Sequence, residues 1–296
     1  MKRSTRARRD NQVMGRQQVT PELRQWILAQ ATAGQSPEDV LQAMLASGWT
    51  EDVAADALED TLKGFLADHA RANGLPQPVP VPEPVLVSGT NRVWAGDREV
   101  NIVMSMLAPR VVVLGNLLSD DECDGLIELA RPRLARSETV VNETGGSEVN
   151  TARTSRGMFF ERGENPLCAR IEARLAALTR WPVENGEGLQ ILHYTPGAEY
   201  KPHYDYFEPS HSGTPSILKR GGQRVGTIVM YLNTPTLGGG TTFPDVHLEV
   251  APMKGHAVFF SYDRPHPMTR SLHGGAPVIE GEKWVATKWM REGVFA

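Results

Sequence analysis

The chain has 296 residues, of which 40% are hydrophobic, enough for one large domain and a smaller one with real cores. Its formal net charge of −4 gives no bulk reason to expect nucleic acid or a membrane surface. No apolar run approaches the roughly 20 residues of a membrane span, and two cysteines, Cys123 and Cys168, are too few for a disulfide framework or a cysteine zinc site.

Residues 1–18 carry six basic side chains against Asp10 and no apolar leader-like stretch, so they read as a solvated, disordered tail, with a nucleic-acid or acidic-partner contact as the alternative. A cytoplasmic address follows as the simplest expectation. Three capped helical segments come next, in a helical accessory domain over 19–72. Thr20-Pro21 opens the first and Gly34 closes it; Ser36-Pro37-Glu38-Asp39 opens the second and Gly48 closes it; Thr50 opens the third. Trp26, Ile27, Leu41, Met44, Leu45, Trp49 and Leu62 are the expected shared core of a three-helix bundle, which could dock a protein partner. The alternating prolines from Pro76 to Pro84 favour polyproline II, so 73–90 reads as a semi-rigid linker.

Over 91–296 the pattern changes. Val111–Leu114 reads as a strand, Ser119-Asp120-Asp121-Glu122 as a capping box opening a helix through Leu134, and Pro166–Thr179 as a second helix. From Gly188 onward short β segments alternate with Gly and Pro turns, among them Leu189–Tyr194, Val225–Leu232, Ala257–Tyr262 and Trp284–Met290. Many short strands without long intervening helices predict an α+β domain built on a sandwich or barrel.

Within this region His203-Tyr204-Asp205 puts two metal-ligating side chains two residues apart, on one side of an extended segment. His273, from a distant strand, completes a set of two imidazoles and one carboxylate, the facial triad of non-haem Fe(II). Lys283 follows and offers a counter-charge for an acidic co-substrate, with Lys288 as its rival. His193, His211, His247, His256 and His266 are expected to be non-ligands; His266 is the best decoy for the distal ligand.

The blocks around these residues resemble the prolyl 4-hydroxylase family of Fe(II)/2-oxoglutarate dioxygenases. They are Leu192-His193-Tyr194 through His203-Tyr204-Asp205-Tyr206-Phe207; Gly222-Gln223-Arg224-Val225-Gly226-Thr227; Ser271-Leu272-His273-Gly274-Gly275; and Gly281-Glu282-Lys283-Trp284 with Thr287-Lys288-Trp289. The resemblance runs from about residue 108 to the C-terminus. It implies a double-stranded β-helix (jelly-roll) core with supporting helices, and Fe(II), 2-oxoglutarate, O₂ and ascorbate as cofactors and co-substrates. It implies His203, Asp205 and His273 as iron ligands, and Lys283 with Tyr194 and Thr227 as the 2-oxoglutarate site. Arg153, Ser155, Glu187, Tyr200, Arg224 and Trp289 would form the substrate groove, with Arg224 and Trp289 nearest the reaction. The stretch 142–156 resembles the loop that folds over peptide.

Two positions depart from the family. Gly240 stands at an acidic position of the Gly-Gly-acid-Thr turn, and Arg291 stands where animal collagen enzymes have a His, which bears on keto-acid handling. The reading that follows is peptidyl-proline hydroxylation of an intracellular protein, releasing succinate and CO₂. Oxidation of a free amino acid or lysyl peptide, or a non-catalytic metal- or keto-acid-sensing protein, are the alternatives.

Overall fold

A computed structural model describes residues 17–86, 90–136, 139–140, 147–148 and 155–296. The chain divides into two units between Gln77 and Pro78.

The first unit holds α1 (Pro21–Thr32), α2 (Pro37–Ala46) and α3 (Glu51–Ala72). Thr20 and Ser36 accept hydrogen bonds from the Leu23 and Asp39 N–H groups, satisfying donors that each helix start leaves open. Ile27, Val40, Met44, Ala54, Ala57 and Leu58 form its core, with Leu23, Leu41, Leu45, Trp49 and Leu62 packed against it. Trp26 departs from expectation: at 37% exposed it is outside this core. Leu23 and Ile27, four apart, share the apolar side of α1, and the residue preceding Ile27 is rotated off that side.

The second unit begins inside the proline-rich segment. The Val79 N–H donates to the Asp263 carbonyl, and those of Glu83 and Val85 donate to Thr179 and Leu178. Glu83 also pairs with Arg110. Residues 78–86 therefore form a strap bonded onto this unit, where the prolines had suggested a semi-rigid linker.

In chain order the strands are β1 (Arg92–Trp94), β2 (Glu99–Met106), β3 (Arg110–Gly115), β4 (Ala135–Arg136), β5 (Thr139–Val140), β6 (Ser147–Glu148), β7 (Arg156–Phe160), β8 (Leu189–Tyr194), β9 (Tyr200–His203), β10 (Arg224–Tyr231), β11 (Leu237–Gly238), β12 (Thr241–Phe243), β13 (Leu248–Val250), β14 (Ala257–Ser261), β15 (His273–Gly275), β16 (Val278–Glu280) and β17 (Lys283–Arg291). The helices are α4 (Asp120–Ala130), α5 (Pro166–Thr179) and α6 (Thr214–Leu218). Ser119 and Glu122 make the predicted capping box of α4. The helix ends earlier than Leu134, because Arg131–Arg133, carrying Pro132, tightens to a 3-10 turn.

The large antiparallel sheet runs β1-β2-β3-β14-β10-β17-β8-β7-β4, and a smaller one runs β13-β12-β15-β9. Central strands of the large sheet are buried on both faces, and period-2 alternation sorts their side chains. Val112, Leu114, Ile228, Met230, Phe259, Trp284 and Ala286 join Leu126, Ile171 and Leu175 of α4 and α5 in one core. Val111, Val113, Tyr231, Val258, Phe260 and Val285 join Phe243 and Val250 of the smaller sheet in a second core. The functional residues described next lie on this second side. Among the described residues, no helix is long and apolar enough to cross a membrane.

Candidate active site

One pocket is floored by alternate residues of three adjacent strands of the large sheet: Gln190, Leu192 and Tyr194 of β8; Lys283, Val285, Thr287 and Trp289 of β17; Thr227 and Val229 of β10. The opposite wall holds Tyr200 and His203 of β9, Asp205, Thr241 of β12, and His273, Gly274 and Gly275 of β15. β9 and β15 pair with His203 and His273 directly opposed. Gly274 allows this approach: a Cβ there would lie 2.9 Å from the Tyr200 carbonyl oxygen.

His203, Asp205 and His273 place one ligand atom each within 4.8 Å of one another. His203 Nε2 lies 3.6 Å from Asp205 Oδ1, and His273 Nε2 lies 3.5 Å from Oδ2. The Nδ1 of each ring lies 2.9 Å from a backbone carbonyl, that of Lys201 for His203 and that of Ser271 for His273. With Nδ1–H donating there, each Nε2 presents its lone pair toward the carboxylate. Burial pushes His273 down to about 4, which keeps that ring neutral near pH 7. Burial works against ionisation of Asp205, but the flanking His273 and His203 hold its carboxyl well below the usual range. Two imidazoles and one carboxylate, oriented before any ion arrives, fit Fe(II).

Lys283 is buried in the same pocket. Among the described residues its ammonium makes no hydrogen bond or ion pair; it sits 5.4 Å over the Tyr194 ring and 5.9 Å over Tyr231. Burial lowers its pKa to about 8, partly offset by the charge of Glu249. A buried cation without an anion is costly, so this end of the pocket suits a carboxylate. Lys288, its rival, is on the other side of β17, paired with Glu172 and the Glu187 carbonyl.

Thr227 lines the pocket and is bonded to the triad carboxylate. Its hydroxyl donates to Asp205 Oδ2 at 2.7 Å and shares a 2.9 Å bond with the Tyr262 hydroxyl. In register it opposes Trp289, six residues from Lys283, or roughly 20 Å along the strand. Thr227 and Lys283 line the same pocket, and the Thr227 hydroxyl is engaged with the Asp205 carboxylate. Thr241 also lines the pocket; it pairs across to Gly275 and accepts from the Tyr231 hydroxyl at 2.7 Å. A Cβ at Gly275 would come 3.7 Å from Lys283 Nζ. Thr241, the last residue of the Gly238-Gly239-Gly240-Thr241 turn, is a pocket residue that its sequence context did not mark. At Gly240 itself a Cβ would lie 2.1 Å from Glu249 Oε1, so the space for a side chain there is filled from β13 by an acid.

At the far end Arg224 grips Glu187 through two bonds of 2.7 and 2.9 Å and stacks 3.9 Å over Trp289. Arg291 donates to Glu187 at 2.6 Å and to the Gly222 carbonyl at 2.7 Å. Eight residues from Lys283 on β17, its guanidinium is engaged here rather than at the buried cation, which separates Arg291 from the expected keto-acid end. Tyr200 stacks on His203 at 3.7 Å. Ser155 is buried just before β7; Arg153 and most of 142–156 lie outside the described residues. Trp284 is core and Trp289 lines the pocket. His193 bonds Glu282 and stacks on Trp284, and His266 Nδ1 accepts from the Met268 N–H.

A double sheet with a two-histidine, one-carboxylate cluster facing a buried lysine defines an Fe(II)- and 2-oxoglutarate-dependent oxygenase. The family model described as the 2OG-Fe(II) oxygenase superfamily matches residues 189–291. Prolyl 4-hydroxylase 5 of Arabidopsis thaliana is 41% identical over 215 residues, covering 66% of this chain and 72% of the relative. Prolyl 4-hydroxylase 1 of the same plant is 40% identical over 225 residues, covering 67% and 77%. Among solved structures, the 2OG complex of a viral collagen prolyl hydroxylase from Paramecium Bursaria Chlorella virus-1 is 28% identical, with a TM-score of 0.48 over 61% of this chain and 95% of that one. The chain belongs to the prolyl 4-hydroxylase family of 2-oxoglutarate–Fe(II) oxygenases, and it is a 2-oxoglutarate-dependent dioxygenase.

Proposed function

We propose that this chain hydroxylates proline within a peptide or protein, and that its two facing sheets are a double-stranded β-helix. The observation that carries the reading is the His203, Asp205 and His273 cluster sharing a pocket with the unpaired cation of Lys283, in a chain whose relatives are named prolyl 4-hydroxylases.

His203, Asp205 and His273 would hold Fe(II). Lys283, Thr241 and Tyr194 would hold the distal carboxylate of 2-oxoglutarate. When bound, iron and keto acid supply the oxidising power: O₂ and 2-oxoglutarate give succinate and CO₂, and one oxygen atom enters a substrate C–H bond. The protein's own part is placement and exclusion of water. Thr227 holds the Asp205 carboxylate at a fixed angle. The Nδ1–H bonds of the two histidines keep both rings aimed. The Arg224–Glu187–Arg291 group fixes the indole of Trp289, beside which the peptide would lie. Ascorbate enters as the reductant that the family resemblance implies. The buried free thiols Cys123 and Cys168 suit a reducing cytoplasm, and the helical unit would serve to dock a protein partner.

Incubation with Fe(II), 2-oxoglutarate and a proline-alternating peptide should release succinate and add one oxygen atom per modified proline, seen by mass spectrometry. Succinate release with small amino acids and none with any proline peptide would contradict the substrate assignment.

A further inference from the structure

The Thr227 hydroxyl carries one hydrogen, and it is committed to Asp205 Oδ2, because an ionised carboxylate only accepts. The 2.9 Å bond between Thr227 and Tyr262 therefore has one workable direction: the Tyr262 phenol donates and Thr227 accepts. Tyr262 follows directly on β14, and its side chain, 2% exposed, packs with Phe260 in the second core. Its ring meets that of Tyr206, the neighbour of Asp205, edge-on at 6.3 Å. The backbone around both hydroxyls is held. The Tyr262 N–H donates to the Val225 carbonyl, the Asp263 carbonyl accepts from Val79 of the strap, and Pro82 of the strap lies over Gly226, the residue before Thr227. Burial pushes the Tyr262 phenol well above the usual tyrosine range, so it keeps its proton and remains a donor.

We propose that Tyr262 is a positioning residue of the metal centre, acting on Asp205 through Thr227. Phenol, hydroxyl and carboxylate form a chain in which every donation runs toward Asp205. Each donation polarises the next O–H, so the phenol strengthens the bond that the carboxylate receives. The chain also restricts Thr227, which is fully buried: its hydroxyl cannot turn from Asp205 without leaving a buried acceptor unfilled. A carboxylate held this way meets the metal already aimed. Tyr262 stands behind Thr227, which itself lines the pocket, so its effect falls on the metal rather than on the keto acid. This inference rests on reading His203, Asp205 and His273 as the metal ligands, and it names what aims one of them.

The test is anaerobic calorimetry of Co(II) binding to the full chain, with the visible absorption of the Co(II)-loaded protein as a second readout. Tyr262→Phe keeps the ring and deletes the donor. Its Co(II) affinity should fall about threefold to tenfold, less than the roughly 10- to 100-fold typical of a direct partner of a ligand. Its absorption bands, which report ligand geometry at saturating metal, should shift. 2-Oxoglutarate affinity at saturating Mn(II) should stay within twofold of wild type, which also reports that the variant is folded. Because Tyr262 acts through Thr227, Tyr262→Phe placed in a Thr227→Val background should bring no further loss. That double variant leaves neither hydroxyl without a partner, so it gives the answer even where Tyr262→Phe alone is unstable. Wild-type Co(II) affinity and spectrum in Tyr262→Phe, or a loss in the double variant about threefold or more beyond that of Thr227→Val, would overturn the role of Tyr262 and leave the metal site in place. A wild-type chain that binds no Co(II) would overturn the metal site itself, and this role with it.

Discussion

Among single residues, Lys283 and Thr227 carry the sharpest consequences. Deleting the ammonium with Lys283→Ala removes a charge-assisted contact, and 2-oxoglutarate affinity should fall about 10- to 100-fold, read by calorimetry with Mn(II) present. In the empty pocket this lysine deprotonates near pH 8, while a bound carboxylate favours its charged form. Binding above pH 8 must therefore take up a proton, and affinity should weaken by up to about tenfold per pH unit there; a flat affinity from pH 7 to 9 would place the anion elsewhere. The stability sign is opposite. Because the unfolded lysine retains its ordinary, higher pKa, the unfolded chain binds more protons above pH 8, and the ligand-free fold gains stability from this group as pH rises through that window. Thr227→Val separates two roles. If its hydroxyl orients Asp205, metal affinity should drop about 10- to 100-fold; unchanged metal affinity with weaker 2-oxoglutarate binding would return Thr227 to the keto-acid end.

At the level of strands, the site depends on alternation. Residues 283, 285, 287 and 289 of β17 line the pocket, and 284 and 286 face the helices. The His-x-Asp spacing made two of the three ligands legible in sequence, and the Ser119–Glu122 capping box and the cap prolines made the helices legible. The resemblance pointed to Lys283 and Trp289, but periodicity alone does not say which side of β17 faces the smaller sheet. No local pattern reports that, because both sides of this strand are buried. The bond from Thr227 to Asp205 was illegible for the same reason: what Thr227 meets depends on long-range strand register. The strap's bonds were not legible because alternating prolines set a backbone conformation without saying what lies beside it. Pro82 sits over Gly226, where a Cβ would be 2.4 Å from Pro82 Cγ. Gly226→Val should therefore displace the strap or strain β10, costing about 1–3 kcal/mol in urea unfolding; wild-type stability would mean the strap gives way freely.

For the molecule as a whole, the division between Gln77 and Pro78 predicts separable behaviour. A chain starting at Pro78 should keep metal and 2-oxoglutarate binding. One starting at Thr90 loses the backbone bonds of Val79, Glu83 and Val85 and the Glu83–Arg110 pair, and its melting temperature should fall by several degrees relative to the longer truncation. Equal melting curves would show that the strap adds no stability. The central claim is that three side chains from separate stretches hold one metal and that the metal is required for the keto acid to bind. Anaerobic equilibrium dialysis with Fe(II) and labelled 2-oxoglutarate tests it directly. The wild-type chain should retain one iron, and bind one 2-oxoglutarate tightly only when iron is present, with both lost in Asp205→Ala. Undiminished iron and 2-oxoglutarate binding by Asp205→Ala would contradict it.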